Sequence, residues 1–236
     1  MAIKQITVNS KNKKKKLFDY SSAPNIYYYE WQSNDGASKM FYDTDMTAIY
    51  RRTWTLARFL GYGPKSIGIN RGYTTPAHND KIPGAAQNSL HVKKGSAGDN
   101  VFKDKNGPIS SKKMACIAQI CDVPGIEVIN RNTGAIHYDT RYGRPVKKWW
   151  AEKTGNTYNT LSDFFKYFGI SRYKLKLKRK SPLRKKNKKK SDVITYVPKG
   201  TKLEILSFRC SGKKGWFLVK YQGKSGWLWW GNVKRV

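Results

Sequence analysis

Apolar positions recur along this chain with two periods, and the change of period divides it. Met46, Ile49, Tyr50, Thr53, Trp54, Ala57 and Leu60 follow one another at mostly three- and four-residue spacing, which predicts an amphipathic helix. Thr44-Asp45 supplies its start signal, and Gly61 with Gly63-Pro64 its stop. Ile67-Gly68-Ile69 predicts a short strand that delivers a turn at Gly72-Tyr73. A second apolar helix is predicted from Met114 to about Cys121, after Ser110-Ser111-Lys112-Lys113 and before Pro124-Gly125. Ile126 to Ile129 and Ala135 to Tyr138 read as paired strands around the turn Asn130-Arg131-Asn132-Thr133-Gly134. The stretch from Leu17 to Tyr42, with Tyr27-Tyr28-Tyr29, predicts extended structure. Trp149-Trp150 reads as a seal on the edge of this part. Thr157 to Gly169 carries Leu161, Phe164, Phe165 and Phe168 at helical spacing and reads as a connecting helix.

Beyond residue 170 the apolar period shortens to two. Val197 to Leu206, Gly215 to Tyr221 and Gly223 to Trp230 are short alternating segments separated by glycine turns, the pattern of a small all-β barrel. The chain therefore divides into a basic flexible arm (1–16), an α+β domain with helices flanking a small antiparallel sheet (17–156), the connecting helix (157–170) and the barrel (171–236).

Composition changes this picture in one respect. An apolar fraction of 39% with 14% aromatic residues suits a folded chain, but 47 Lys+Arg against 15 Asp+Glu leave a net charge of +32. Such a field attracts polyanions: nucleic acid, anionic headgroups, or cell-wall polymers. No helix-turn-helix pattern, RNA-recognition signature or zinc-finger spacing accompanies the charge, so a specific nucleic-acid partner is not expected. The three cysteines form no C-x-x-C pair, which argues against a disulfide scaffold and a thiolate metal site; Cys116 and Cys121 read as small core residues. Lys13 to Lys16 is followed by no apolar run, and no stretch is long enough to span a bilayer, so cytoplasmic synthesis without a signal peptide is expected.

Candidate chemistry gathers in three segments, and each holds one of the three histidines. The first runs Ile69-Asn70-Arg71-Gly72-Tyr73-Thr74-Thr75-Pro76-Ala77-His78-Asn79. The second is Asn88-Ser89-Leu90-His91-Val92-Lys93-Lys94-Gly95-Ser96-Ala97-Gly98-Asp99, in which small residues allow His91 and Asp99 to face one point. The third is Gly134-Ala135-Ile136-His137-Tyr138-Asp139-Thr140-Arg141.

These segments resemble the zinc D-alanyl-D-alanine carboxypeptidase family, which includes phage endolysin peptidases. The family pattern runs S-G-Y-R-T-P-x-H-N, then S-x-H-x-x-G-x-A-x-D, then H-x-D. Gly72-Tyr73, Thr75-Pro76, His78-Asn79, Ser89, His91, Gly95, Ala97, Asp99, His137 and Asp139 match it, within roughly residues 40 to 150. Two positions depart from it. One extra residue places Asp99 eight positions after His91, and Thr74 stands where the motif has arginine, with Arg71 the nearest substitute. The resemblance implies that residues 17–156 form a zinc peptidase domain, with His91, Asp99 and His137 as ligands of one Zn²⁺. Asp139 lies two residues along a strand from His137 and is a candidate acid/base or a residue that orients a ligand. Arg71 and Arg141 compete for the oxyanion or substrate-carboxylate role. Ser89 and His78 read as supporting residues around the ligands, His78 as a structural histidine.

The C-terminal part resembles a bacterial SH3-type domain, with Lys199-Gly200-Thr201 and the steps Gly215-Trp216 and Gly226-Trp227. That resemblance makes the run Arg184 to Lys190 a loop on the barrel. It implies binding to peptidoglycan, and with the anionic wall polymers expected from the charge the candidate contacts are Trp216, Tyr221, Trp227, Trp229, Lys185 and Lys186. Together the two resemblances imply a zinc-dependent peptidoglycan peptidase of endolysin type, acting on the wall after release by phage lysis or from a virion; a monomer is expected. The alternatives are a catalytically degenerate wall-binding or virion protein, for which the two departures speak, and a basic nucleic-acid binder, for which the charge speaks.

Overall fold

The computed structural model describes residues 2–17, 26–155, 157–211 and 214–236, and over them the chain is mostly β with a small helical content. Strand β1 (Ile3–Thr7) is followed by the short helix α1 (Tyr28–Trp31) and by β2 (Lys39–Asp43), its antiparallel partner. Helix α2 (Thr44–Phe59) leads to β3 (Ser66–Arg71), the single turn α3 (Pro76–Asn79), β4 (Ala97–Asp104) and β5 (Gly107–Pro108). Helix α4 (Ser111–Ile120) precedes β6 (Gly125–Asn130), β7 (Ala135–Asp139), β8 (Trp149–Thr154) and β9 (Thr157–Thr160); α5 (Phe164–Phe168) comes next. One sheet takes the order β3-β4-β7-β6-β8-β9, with β5 on β4, and only β6 and β8 run parallel in it.

The helices cover one face of this sheet. Helix α2 starts one residue earlier than its sequence signal, because Asp43 is the cap and its carboxylate accepts the Asp45 N–H at 2.9 Å. It buries Met46, Ile49, Tyr50, Trp54 and Ala57, the stripe that the three- and four-residue spacing predicts. Helix α4 buries Met114, Ile117 and Ile120, together with Cys116, and Cys121 just beyond its end is equally buried. From the sheet, Phe102, Ile126, Val128, Ile136 and Tyr138 are buried beneath the helices, with the Tyr138 ring 6.2 Å from Tyr50 and 6.1 Å from Phe102. Side chains alternate across a strand, so Asp99, Glu127, His137 and Asp139 project from the opposite, open face.

Several expectations are corrected. The arm is not loose: Ile3–Thr7 is a strand, and Lys16 forms a bridge with Tyr27. Extended structure around Tyr27-Tyr28-Tyr29 gives way to α1, where the Glu30 carboxylate accepts the Tyr27 N–H at 2.7 Å and Trp31 is fully buried. Residues 18–25 of that stretch lie outside the described residues. The connecting helix shrinks to Phe164–Phe168, capped by Asp163, because Thr157–Thr160 pairs with β8 and extends the sheet. Trp149-Trp150 opens strand β8 between β6 and β9 and does not seal an edge. The small antiparallel sheet is thus a seven-stranded mixed one.

The remaining strands are β10 (Lys174–Leu177), β11 (Ser181–Arg184), β12 (Val193–Val197), β13 (Lys202–Glu204), β14 (Ser207–Ser211), β15 (Lys214–Tyr221), β16 (Lys224–Trp229) and β17 (Val233–Arg235). They form a three-stranded sheet, β13-β10-β17, and a five-stranded one, β12-β11-β16-β15-β14. Leu175, Leu183, Phe208, Phe217, Val219 and Leu228 are buried between them. The barrel docks on α2 and on the turn after α4. The Phe59 and Phe217 rings meet at 45°, with centroids 4.7 Å apart, and the Asp122 carboxylate meets Arg209 at 2.9 Å and Ser207 at 2.7 Å. Arg235 donates to the Leu60 carbonyl at 2.8 Å. Among the described residues no helix is long and apolar enough to cross a membrane.

Candidate metal centre

Strand register brings the third segment onto the second. Asp99 on β4 stands opposite His137 on β7, and Glu127 on β6 stands on the other side of His137. The next row on the same face is Ala97, Asp139 and Gly125. His91 arrives from the loop before β4. That loop is pinned by Ser96 N–H to the Leu90 carbonyl at 3.0 Å, Thr74 N–H to the His91 carbonyl at 3.3 Å and His91 N–H to Ser89 Oγ at 3.3 Å. Lys94 and Gly95 turn the loop with φ of 61° and 58°, and Lys94 is exposed on that turn.

One donor atom from each of His91, Asp99 and His137 lies within 4.8 Å of the others. The Gly72 carbonyl can only accept, so His91 donates Nδ1–H to it at 2.8 Å and leaves Nε2 directed at Asp99 Oδ1, 3.3 Å away. His137 places Nδ1 2.7 Å from the same Asp99 oxygen and Nε2 3.2 Å from Asp139 Oδ2. Burial would raise the Asp99 carboxyl, but the charges and hydrogen bonds of His91 and His137 hold it far below the usual carboxylate range. Burial would lower His137, but its hydrogen bonds to Asp139 and Asp99 push it up to about 10. The carboxylates thus favour positive charge at this point, from a proton or a metal ion. Two imidazoles and one carboxylate are a donor set that suits zinc, and three protein ligands leave a coordination position open.

Asp139 is 1% exposed and already engaged. Its Oδ1 accepts the Arg141 backbone N–H at 2.7 Å, and its Oδ2 faces both His137 and Arg141 Nη1, the latter at 3.3 Å. Although burial works against it, hydrogen bonding by His137 and the charges of His137 and Arg141 keep its carboxyl lowered. Gly125 makes room for it, since a Cβ there would overlap the Asp139 carboxyl group. Gly125→Ala is therefore expected to displace Asp139 and release His137 from its orientation. Metal affinity, measured by competition with a chelator, should fall by roughly 10–100-fold, while the circular dichroism of the chain is unchanged.

The open face carries a cleft of about 410 Å³ lined by the three donor residues, Ser89, Asp139, Arg71 and Arg141, with Trp149, Tyr158, Arg144 and Lys153 around it. Arg71 sits where a bulge interrupts the β3–β4 ladder, donates Nε–H to Thr74 Oγ1 at 3.0 Å and Nη2–H to Asn79 Oδ1 at 2.6 Å. The Thr74 hydroxyl thus helps to hold the Arg71 guanidinium in place. Arg141 donates Nε–H to the Val146 carbonyl at 3.2 Å and lies 5.6 Å from the Trp149 ring centre. His78 stands apart, in an adjoining cleft of about 270 Å³ with Glu30, Asn70 and Arg71.

Glu127 is a site residue that the sequence pattern does not single out. It lines the cleft, burial raises its carboxyl, and it makes no side-chain hydrogen bond or ion pair among the described residues. The available carboxylate of the site is therefore Glu127, while Asp139 holds His137. A charged residue inside the apolar run Ile126-Glu127-Val128-Ile129 was the only signal, and it carries no information about which strand lies beside it.

On the barrel, Trp216 stands opposite Trp229 on one side and Arg209 on the other, so the three share the outer face of the five-stranded sheet. Trp227 lies on that face beside Leu218 and Arg184. Tyr221 does not: it has the parity of Phe217 and Val219 and packs against the core. Lys185 pairs with Asp192 at 3.3 Å, and the lysines that line a cleft with the tryptophans are Lys188 and Lys189, in place of Lys185 and Lys186.

Residues 181–234 match the bacterial SH3 domain family, so these strands form a bacterial SH3 domain. Strand β10 precedes the matched range yet pairs with β13 inside it and with β17 at its end. No peptidase family matches the chain, and no curated protein matches it.

Proposed function

We propose that the chain is a zinc-dependent peptidase that cuts amide bonds in the stem peptides or cross-links of peptidoglycan, held on the wall by its SH3 domain. The observation that carries this reading is the meeting of His91, Asp99 and His137 in a cleft that also presents an unpaired carboxylate and several cations. Zinc held by these residues would supply Lewis acidity, which acidifies water and polarises a carbonyl. Asp139 accepts from His137 Nε2–H and fixes the ring. Glu127 takes a proton from the attacking water and returns it to the leaving amine. Arg71 faces the developing oxyanion or a substrate carboxylate, while Arg141 is committed to Asp139. Among the described residues, none that lines this cleft belongs to the barrel, so cutting and anchoring are divided between separate surfaces.

Digestion of purified peptidoglycan followed by mass spectrometry tests the reading and names the bond. Stem-peptide fragments should appear, disappear with a chelator and return with zinc. Glu127→Gln should keep its zinc and lose about 10²–10⁴-fold in rate. Intact peptidoglycan after exposure to zinc-loaded protein that still binds sacculi would return the non-catalytic wall-binding alternative.

A further inference from the structure

The outer face of the SH3 domain holds a cleft of about 360 Å³ whose lining includes Trp216, Trp229, Lys188, Lys189 and Arg209 and, among the described residues, no acidic one. The two indoles form a corner, with ring centroids 5.3 Å apart and planes at 64°. Trp216, 7% exposed, makes the floor, and the more exposed Trp229 makes a wall. Gly231 allows this, because a Cβ there would overlap the Trp229 indole nitrogen. The cations are presented rather than trailing. Lys186 N–H donates to Ser191 Oγ at 2.9 Å and Lys185 N–H to the Asp192 carbonyl at 3.0 Å, which closes the basic loop and leaves Lys189 Nζ 5.4 Å from the Trp229 ring centre. Arg209 is held in place by Asp122 at 2.9 Å.

We infer that this cleft is a binding site for a phosphodiester-linked glycopolymer of the cell wall, with a sugar ring seated in the tryptophan corner and the neighbouring phosphate on Lys188, Lys189 and Arg209. The inference rests on the wall-binding reading. A flat apolar face beside an anion is what the corner and its cationic rim complement. A stem peptide offers no ring for the corner. Duplex DNA offers phosphates on a convex rod with its flat faces stacked inside, so it meets the lysines without filling the corner.

The test uses the full chain, with soluble glucosylated poly(glycerol phosphate) as the probe, inorganic polyphosphate as a charge-only control, and calorimetry as the readout. Trp229→Leu should weaken the glycopolymer about tenfold and polyphosphate little. Lys188→Gln with Lys189→Gln should weaken both and flatten the salt dependence, whereas Lys178→Gln with Lys180→Gln, outside the cleft, should preserve the Trp229-dependent preference for the glycopolymer. Unchanged glycopolymer binding in a folded Trp229→Leu chain, or tighter binding to duplex DNA at equal ionic strength, overturns the site. Sacculi separate the two readings. Equal binding to native sacculi and to sacculi stripped of phosphate polymer removes the site and leaves wall binding standing. Binding to the soluble glycopolymer without binding to native sacculi does the reverse.

Discussion

His137→Ala is expected to abolish hydrolysis of purified peptidoglycan and to release zinc from the chain, while the SH3 domain stays folded and bound to sacculi. His137 touches both carboxylates of the site, Asp99 at 2.7 Å and Asp139 at 3.2 Å. Its removal takes away one of the three donors and also leaves two acidic groups facing each other across a buried space. The first effect should lower the rate by at least ~10³-fold, the scale of losing a preorganised electrostatic stabiliser. The second should destabilise the first domain by about 3–5 kcal/mol, as breaking a buried charge pair does. His137→Gln separates them, because a side-chain amide can still donate to Asp139 but is a poor metal ligand. Zinc content by atomic absorption, rate and melting temperature are measured together. Full activity in His137→Ala, or an active wild type shown to be free of metal, would sink the proposed mechanism.

Phe217→Ala is expected to give the largest loss of stability outside the site. The ring is fully buried and lies 4.7 Å from Phe59 of α2 and 5.0 Å from Phe208 of β14, so it belongs to the barrel core and to the seam with the first domain at once. Truncating a buried phenylalanine costs about 3–5 kcal/mol in lost transfer energy and cavity. In a chain of this size each kcal/mol moves the midpoint by roughly 2–4 °C, so calorimetry should show a fall of roughly 6–20 °C. Because the seam is damaged, the barrel transition should also separate from that of the first domain. A shift below about 2 °C with one undivided transition would mean that Phe217 is not holding the two parts together.

Much of the fold is legible along the chain because it is local. The apolar spacing from Met46 onward marks α2, the run after Ser111 marks α4, and the turn after Asn130 joins β6 to β7. The shift to alternating residues marks the barrel, where the bacterial SH3 match falls. The order of His91, Asp99 and His137, and the glycines and small residues between the first two, also stand in the sequence.

What the tertiary structure alone decides is everything that depends on which distant strands pair. A strand's alternation shows which residues share a face, but the neighbour across that face is set by long-range burial and hydrogen bonding, and local periodicity holds no record of it. The β6–β7 register puts Glu127, to which the chain's pattern gives no role, beside His137, while the same alternation and a glycine at 125 bury Asp139 against that ring. Register likewise turns Tyr221 into the core, draws Thr157–Thr160 into the large sheet and selects Lys188 and Lys189 to meet the tryptophans. The sequence by itself determines the elements and the supply of chemical groups. The tertiary structure determines which groups meet, because only chain closure over many residues sets the distances between them.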